Sequence, residues 1–519
     1  MASSKTIFEI EAYILSIDMG TTSMKAAVFD QKGNNLVSSV VEYTLLTPDT
    51  NMVEVPCEVY MHSIKKCMEI ISEQKLVDMQ QIMVIGFSVQ GETICTLDKD
   101  GKPLKNAIVW MDNRAGKQAE TLRNYFGDEL CYQVTGQVSF EACWPAAKIL
   151  WIRENEPEVF KKIKHILLLE DYIIYQLTGQ FVTEGSLLTS TEYWDIRTKS
   201  YWKEMLDFLG IEMEQLPNIL EPGEIVGTIL PDMAEWLGGS KNAKVCTGCL
   251  DQAAAAIGVG NIHNGMLSEN IGAALAICVP VSELKYDPHR QMPVHYFGIP
   301  DTYMMHSFTT GGMCFRWFRD NFCSAELHVQ EMTELDAYDL MDREAELVDP
   351  GSNGLITLPH LQGSMAPDVN LDAKCVFYGA TLKHKKAHFI RSIMESLGYI
   401  ICRNLETVEK MGLDIGEIRT MGGGSKSDLW NQIKADIIGK PLYLTSASQD
   451  VACLGAAIIA GRAAGFFDSI DSAVKSMVHV RKVYEPNMEN HEVYLKQYKK
   501  YKALFEMLTP LFKMDSGKE

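Results

Sequence analysis

The chain has 519 residues, of which 46% are hydrophobic and 22% charged, a composition typical of globular rather than disordered proteins. This length exceeds that of one compact core, so two domains are expected. The formal net charge of −20 disfavours nucleic acid and membrane surfaces as partners, because both carry negative charge themselves.

Thirteen cysteines are scattered along the chain, and they predict reduced core thiols in a reducing compartment. Residues 1–13 include acidic side chains where a secretion signal requires an apolar run. No stretch of the sequence reaches the roughly 20 apolar residues of a membrane-spanning helix. We therefore expect a cytoplasmic protein.

The N-terminal region has the pattern of a β-hairpin. An apolar run at 13–17 predicts a buried strand, and the polar turn Asp18-Met19-Gly20-Thr21-Thr22-Ser23 follows it. A second apolar run covers 24–29, and turn residues at 32–35 lead to a third strand at 36–43. The tip of this hairpin is expected to expose backbone N–H groups.

Later segments predict both strands and helices. An alanine- and glycine-rich helix at 450–465 has small residues that permit close backbone packing. A charged tail from residue 485 predicts a peripheral helix. The other predicted strands are 82–88 and 107–110, and the other predicted helices are 148–155, 158–179 and one that follows the glycine run at 422–424 and stops at 439–441.

Residues 265–275 resemble the first hairpin. Aligning Leu15 with Leu267 places Asp18 over Asn270 and Gly20 over Gly272. This match falls where a second domain is expected to begin, near residue 260, although chance similarity is the alternative explanation.

The turn after the first strand has the chemistry of a phosphate-binding site. Glycine allows close backbone approach, the hydroxyls of Thr21, Thr22 and Ser23 add donors, and Lys25 supplies a positive charge. Asp18 could hold Mg²⁺ through water, since hard cations prefer carboxylate oxygen. The alternative is an ordinary hairpin turn capped by an aspartate.

Other polar residues follow predicted strands or begin predicted helices. Asp251 precedes an alanine-rich helix and is interpreted as a catalytic base, with a helix cap as the alternative. The alternative interpretation of Asp112 is a polar residue in a solvated loop, and that of Trp144 is a residue of the hydrophobic core. The candidate contacts for a hydroxyl-rich substrate are Gln90, Glu92, Asp112, Trp144 and Gln252.

Taken in order, these segments resemble the FGGY family of carbohydrate kinases, over nearly the whole chain from about Tyr13 to about Pro486. The segments that carry the resemblance are Asp18-Met19-Gly20-Thr21-Thr22-Ser23, Trp110-x-Asp112-x-Arg114, Asp251-Gln252, Trp317-Phe318-Arg319-Asp320, Gly379-Ala380-Thr381-Leu382-x-His384 with Ala387-His388, Gly422-Gly423-Gly424-Ser425 and Leu454-Gly455-Ala456-Ala457.

The resemblance implies an α/β fold in which two actin-like (ribonuclease H-like) ATPase domains flank a catalytic cleft. The implied boundaries are 11–260 for the sugar-binding domain, 261–490 for the nucleotide-binding domain and 491–519 for a tail helix. Asp251 would be the catalytic base, Asp18 the carboxylate associated with Mg²⁺, and Glu92, Asp251 and Gln252 polyol contacts. The implied ATP contacts are Thr21, Thr22, Ser23, Lys25, Gly272, Ala273, Gly312, Gly423, Gly424 and Ser427.

The sequence departs from the family pattern at two places. Gly272-Ala273-Ala274 stands where the second phosphate loop usually carries hydroxyls, and Gly91 stands where glycerol kinases have arginine. The missing arginine leaves room for a substrate longer than glycerol. Gln90-Gly91-Glu92-Thr93 also differs from the Gln-Met-His-Gly that is usual in xylulose kinases. The first expectation is a ketopentose such as xylulose. The alternatives are a glycerol- or erythritol-type polyol, on the strength of Glu92 and Gln252, or autoinducer-2.

An actin-like ATP-binding switch without sugar kinase activity is the alternative from another class of protein. The alanines at 273 and 274 are the reason to consider it, because they remove hydroxyl donors from the second phosphate loop. The expected partner is a small sugar or polyol, and a homodimer is left open.

Overall fold

The computed structural model describes residues 12–446 and 450–515, so the predicted domain start at residue 11 and the last four residues of the predicted tail helix lie outside the described residues. The strands are β1 (Tyr13–Met19), β2 (Ser23–Phe29), β3 (Asn35–Glu42), β4 (Glu54–Val55), β5 (Ile82–Val89), β6 (Ile94–Leu97), β7 (Ala107–Ile108), β8 (His165–Leu168), β9 (Val182–Glu184), β10 (Trp194–Asp195), β11 (Ser200–Tyr201), β12 (Asn218–Leu220), β13 (Ile225–Thr228), β14 (Lys244–Cys246), β15 (Cys249–Leu250), β16 (Met266–Ile271), β17 (Ala274–Val281), β18 (Val294–Tyr296), β19 (Tyr303–Thr310), β20 (Ile356–Leu358), β21 (Val376–Tyr378), β22 (Glu417–Met421), β23 (Leu442–Thr445) and β24 (Val480–Tyr484). The helices are α1 (Cys57–Gln74), α2 (Gly116–Phe126), α3 (Asp128–Thr135), α4 (Pro145–Asn155), α5 (Pro157–Phe160), α6 (Leu169–Thr178), α7 (Gly185–Leu188), α8 (Lys203–Leu209), α9 (Pro231–Leu237), α10 (Asp251–Gly258), α11 (Met313–Phe322), α12 (Ser324–Met332), α13 (Ala337–Glu346), α14 (Lys386–Lys410), α15 (Asp428–Ile438), α16 (Val451–Ala463), α17 (Ile470–Met477) and α18 (Met488–Asp515).

The described residues form two compact units. Unit 1 contains the residues up to Gly260 together with Val294–Tyr303 and Asp450–Val478. Unit 2 contains Asn261–Pro293 and the described parts of Met304–Gln449 and His479–Glu519. No described helix is both long enough and apolar enough to cross a membrane.

The main sheet of unit 1 has the strand order β3-β2-β1-β5-β14-β13. Strand β1 is antiparallel to β2 and parallel to β5, and β14 is parallel to β5 and antiparallel to β13. The predicted hairpin is therefore confirmed. Asp18 lies opposite Lys25 on one side and Ser88 on the other, so the sheet register sets the neighbours of this carboxylate.

Unit 2 repeats this topology with the order β19-β17-β16-β22-β23-β24. Strand β16 is antiparallel to β17 and parallel to β22, β23 is parallel to β22, and β24 is antiparallel to β23. The sequence similarity between the two hairpins therefore reflects a shared architecture. The turns differ in length, because four residues separate the paired Met19 and Met24 but three separate Ile271 and Leu275.

Helices α10 and α16 of unit 1 pack at very short range, as their small residues predict. A Cβ atom on Gly455 would lie 1.8 Å from the carbonyl oxygen of Ala254, and one on Gly258 would lie 1.8 Å from that of Val451. Helix α16 also lies against β1 and β5. Glycine is required at both positions, because any larger side chain would force the helices apart.

The predicted helix at 158–179 is wrong in its middle. The structure has the short helix α5, then strand β8, and then α6. The apolar run Ile166–Leu168 pairs antiparallel with β6. Periodicity alone does not separate a short buried strand from a helical turn, so this error is an expected one.

Cys246 and Cys249 are spaced as a C-x-x-C pair on β14 and β15. Both are free and fully buried, and burial raises the pKa of each thiol. A buried thiol with a raised pKa is unreactive and a poor metal ligand. The pair therefore contributes to the core of unit 1, in agreement with the prediction of reduced core cysteines.

Candidate active site

Asp18 lies at the end of β1 in unit 1. The Ser88 hydroxyl donates to its Oδ1 over 2.7 Å, and Lys25 lies on the adjacent strand. Burial raises the pKa of Asp18, although the hydrogen bond from Ser88 and the charge of Lys25 act in the opposite direction. An aspartate in this setting has few partners for its charge, so a bound cation would stabilise it.

Asp251 begins α10, directly after β15. Strand β15 pairs with β5 at Ser88, which is also the partner of Asp18, so the two aspartates flank one strand. Burial, and then the charges of Asp18 and Glu92, raise the pKa of Asp251 to about 7. The N-cap residue of α10 is Leu250, so Asp251 does not occupy the capping position that the alternative interpretation requires.

Glu92 is the third carboxylate of this group. It has φ 58°, an unusual backbone conformation for a residue other than glycine, and it lies in the turn after β5. Burial raises the pKa of Glu92, and a hydrogen bond from Ser190 and the charge of Lys148 oppose this change. The structure thus brings Asp18 and Glu92 each within electrostatic reach of Asp251.

Lys148 on α4 organises the strand ends around Glu92. Its ammonium donates to the carbonyl oxygens of Glu92, Val109 and Trp110 at 3.0, 2.9 and 3.4 Å. The side chain is fully buried, and burial lowers the pKa of Lys148 to about 8. Sequence reasoning missed this role. The available signal was a lysine inside the apolar run of α4.

We expect Lys148→Met to destabilise unit 1 by about 2 kcal/mol or more, because the carbonyl groups of Glu92 and Trp110 lose their donor and that of Val109 keeps only the Asp112 N–H. The KM for the predicted hydroxyl-rich substrate should also rise, since Glu92 loses its anchor. Thermal unfolding and steady-state kinetics measure both effects. Lys65→Met is the matched control, because the Lys65 ammonium donates to the Trp236 carbonyl from a partly exposed position. A Lys148→Met protein with unchanged Tm and KM would contradict the role.

Trp110 connects this group to the predicted phosphate turn. Its indole Nε1 donates to the Thr21 hydroxyl oxygen over 2.8 Å. The turn itself is closed by a hydrogen bond from the Gly20 N–H to the Ser23 carbonyl at 3.0 Å, and Thr22 is exposed. The turn therefore has a defined shape and at least one free hydroxyl-bearing side chain at its surface.

Lys25 and Asp112 already have strong partners in the structure. The Lys25 ammonium forms an ion pair with Asp450, a residue of unit 1. Asp112 is fully buried and accepts hydrogen bonds from Arg114 and from the Val53 N–H. Asp112 is therefore not a solvated loop residue but an anchor, and its contact with substrate stays a prediction, as does phosphate binding by Lys25.

The remaining predicted sugar contacts carry buried polar groups. Trp144 is half-buried at the start of α4, and no described residue accepts a hydrogen bond from its buried Nε1. The Gln90 side chain is 4% exposed and lies beside the Tyr60 hydroxyl. The Gln252 side chain bonds to the Asp251 carboxylate. The sugar contacts of Gln90, Trp144 and Gln252 stay predictions.

In unit 2, the turn after β16 bonds to the start of α11. The Gly272 N–H donates to the Ala274 carbonyl over 2.9 Å, and the Gly312 N–H donates to the Gly272 carbonyl over 2.9 Å. The Met313 N–H donates to the Ala273 carbonyl at the same distance. These bonds hold the turn in shape through the backbone, so the missing hydroxyls do not leave it without support.

The glycine run after β22 lies close to the same turn of unit 2. Gly422 has φ 76°, and a Cβ atom there would lie 2.2 Å from the Asn270 Oδ1 atom. A Cβ atom on Gly424 would lie 2.8 Å from that of Ile271, whereas the nearest atom at Gly423 is 3.7 Å away. Gly422 and Gly424 are thus needed for packing, and Gly423 has the open space that a nucleotide contact requires.

Ser427 has a structural role in unit 2. It is the N-cap of α15, where its hydroxyl accepts a hydrogen bond from the Trp430 N–H at 3.0 Å. It also lies beside the Asp342 carboxyl, whose pKa burial raises to about 6. A nucleotide contact at Ser427 stays a prediction.

The chemistry of unit 1 fits a magnesium ion held mainly by phosphate and water. Across residues 12–446 and 450–515, no three His, Cys, Asp or Glu side chains converge as a set of metal ligands. Mg²⁺ is commonly bound through one or two carboxylates together with substrate phosphates. The buried Asp18 carboxylate is compatible with this type of site, and its association with Mg²⁺ stays a prediction.

Two units of actin-like, ribonuclease H-like topology, with carboxylates at the strand ends of one and glycine turns in the other, define the class of phosphotransferases that act on an alcohol group. Family models match both parts of the chain: the N-terminal domain of the FGGY family of carbohydrate kinases matches residues 13–258 and the C-terminal domain residues 278–464. The chain belongs to the FGGY family of carbohydrate kinases.

Individual relatives agree with this assignment. A gluconokinase of Bacillus licheniformis is 30% identical over 95% of both chains. A xylulose kinase of Lactococcus lactis is 29% identical over 95% of this chain and 96% of its own. The crystal structure of a ligand-bound xylulose kinase from Lactobacillus acidophilus superimposes with a TM-score of 0.87 at 26% identity, covering 96% of this chain and 98% of that one.

Proposed function

We propose that this kinase transfers the γ-phosphate of MgATP to a hydroxyl of a ketopentose such as xylulose, with Asp251 as the base that accepts the hydroxyl proton. The observation that carries the proposal is the position of Asp251 at the start of α10, with a pKa of about 7 next to Asp18 and Glu92. A base with a pKa near the working pH is well suited to accept a proton in the transition state.

The other site residues divide between phosphate and sugar. Mg²⁺ would neutralise charge on the phosphates when bound, and Asp18 would hold it through water. The turn at Thr21–Ser23 and the backbone of Gly272-Ala273 would bind phosphate through N–H groups, and Gly423 would leave space for the nucleoside. Glu92, Gln90, Trp144 and Gln252 would contact the sugar hydroxyls.

Gluconate is the second candidate substrate, because a relative named gluconokinase is 30% identical to this chain. Gluconate carries a carboxylate. The negative charge of Glu92 already repels that of Asp251, and this repulsion raises the pKa of Asp251. A further negative charge in this group would be unfavourable. Neutral sugars and polyols avoid this cost, and membership of a carbohydrate kinase family removes the actin-like switch as a competing interpretation.

A coupled ADP-release screen tests the proposal. It would compare xylulose, ribulose, glycerol, erythritol, gluconate and autoinducer-2 at matched concentrations. We expect kcat/KM on a ketopentose to exceed that on gluconate at least about tenfold, which corresponds to about 1.4 kcal/mol of discrimination. A faster reaction with gluconate than with every neutral acceptor would overturn the substrate assignment. Failure with all six acceptors would exclude these substrate classes.

A further inference from the structure

The short strand β15 ends immediately before Asp251. One edge of β15 pairs with a neighbouring strand, β5. It pairs with β5 through Cys249 and Leu250. On a strand, the N–H groups of residues two apart point to the same side. The N–H groups of Gly248 and Leu250 accordingly meet side chains: Gly248 donates to the Glu170 carboxylate, and Leu250 donates to the Ser186 hydroxyl oxygen over 2.9 Å.

The Ser186 hydroxyl is itself held by Glu184. It donates to Glu184 Oε1 over 2.7 Å, and the same carboxylate accepts from the Ser186 N–H at 2.6 Å and the Leu187 N–H at 2.8 Å. Glu170, Glu184 and Ser186 are all fully buried. A hydroxyl has one proton, so a Ser186 that donates to Glu184 must accept from Leu250. The direction of the chain of hydrogen bonds is therefore determined.

We propose that Glu184 and Ser186 are positioning residues for the catalytic step. Glu184 holds the Ser186 hydroxyl, which accepts from the Leu250 N–H in the place of a further strand beside β15. This contact fixes the end of β15 and so sets the position of Asp251. This inference rests on the proposed function, because it concerns the same site. Leu250 is the N-cap of α10 and has no side-chain cap of its own. The Ser186 hydroxyl therefore fixes the backbone one residue before the base.

Displacement of a catalytic group by about 1 Å can lower the rate about 100-fold. Ser186→Ala leaves the Leu250 N–H without its acceptor, so β15 is free to shift away from β5. We expect kcat to fall between about tenfold and 100-fold, with the KM for ATP nearly unchanged.

Thr189→Val provides a matched control on the neighbouring turn. The Thr189 hydroxyl donates to the Gly185 carbonyl over 2.9 Å and accepts from the Tyr296 N–H at 3.0 Å, and it is also fully buried. Its loss removes the same kind of hydrogen-bond chain, but one that leads to Tyr296 rather than to Asp251. We expect a similar loss of thermal stability with kcat close to that of the unmodified protein.

Ser186→Thr and Glu184→Gln complete the test. Threonine restores the hydroxyl and should recover most of the lost kcat. Glutamine at position 184 keeps one oxygen, but its NH2 group replaces an oxygen that accepts a hydrogen bond, so kcat and thermal stability should both fall. Equal kinetics for Ser186→Ala and Thr189→Val, or a Ser186→Thr protein that recovers none of the lost kcat, would overturn the proposal. The unmodified protein is measured first on its best acceptor, so a failed phosphotransfer identifies an error in the proposed function instead.

Discussion

Asp251→Asn is expected to lower kcat about a thousandfold or more, with the fold intact. Asparagine has nearly the same shape as aspartate but cannot accept the proton of the sugar hydroxyl. Because the carboxylate form is the active one, kcat/KM of the unmodified kinase should rise with pH and reach a plateau above about pH 7, the pKa of Asp251. Fixed-time phosphotransfer assays of both proteins, measured at about every half pH unit from roughly pH 5 to roughly pH 9, would test both effects.

Asp171→Asn is the control for this variant. Asp171 is also buried in unit 1, and burial raises its pKa to about 7, but its carboxylate accepts a hydrogen bond from the Leu168 N–H at the start of α6. Its replacement should leave kcat within about threefold of normal. Near-full turnover by Asp251→Asn, or an acidic limb that survives the substitution, would remove Asp251 from the role of base.

Thermal stability separates loss of folding from loss of chemistry in these two variants. Both aspartates have a folded-state pKa above the unfolded value of about 3.9, so between about pH 4 and 7 the folded protein binds more protons than the unfolded chain. The free energy of unfolding therefore falls as pH rises through this window. Each substitution replaces a buried carboxylate that is charged at about pH 8 with a neutral amide, and so removes part of this decrease in the free energy of unfolding. Neither variant should therefore unfold more readily than the original protein at about pH 8.

Asp18→Asn is expected to lower kcat/KM about 100-fold or more and to raise the Mg²⁺ concentration needed for half-maximal activity. Asparagine keeps an oxygen for the Ser88 hydroxyl but loses the charge that is proposed to hold a metal-bound water. The second hairpin already has asparagine, Asn270, at the matching position, so this side chain is compatible with the turn. A Mg²⁺ titration of initial rates measures the effect.

Ser88→Ala is the matching control for Asp18→Asn. It removes the 2.7 Å hydrogen bond to Asp18 but leaves the carboxylate charge in place. We expect about a tenfold loss of activity with a nearly normal Mg²⁺ requirement. A Mg²⁺ dependence that is the same in Asp18→Asn and in the unmodified kinase would contradict the assignment of Asp18.

Local sequence patterns were sufficient to predict the two hairpins and the polar residues that lie around Asp251. The turn after β1, the glycines at 422–424 and the small residues of α16 each impose a backbone condition on their immediate neighbours, and the structure has the expected element at each place. The match between Leu15–Gly20 and Leu267–Gly272 also indicated the repeated topology. Such features are readable because turn residues and apolar periodicity act over a few residues.

Interactions between distant segments were not readable in this way. Lys148 reaches the carbonyl groups of Glu92 and Val109, Ser186 reaches the Leu250 N–H, and Asp450 pairs with Lys25 across more than 400 residues. From the sequence alone, the two hairpins, their turns and the types of polar side chain available to a sugar kinase could be predicted, but strand β8 could not. Only the tertiary structure decided which buried charges meet, because burial and pairing depend on how the segments pack and not on their order along the chain.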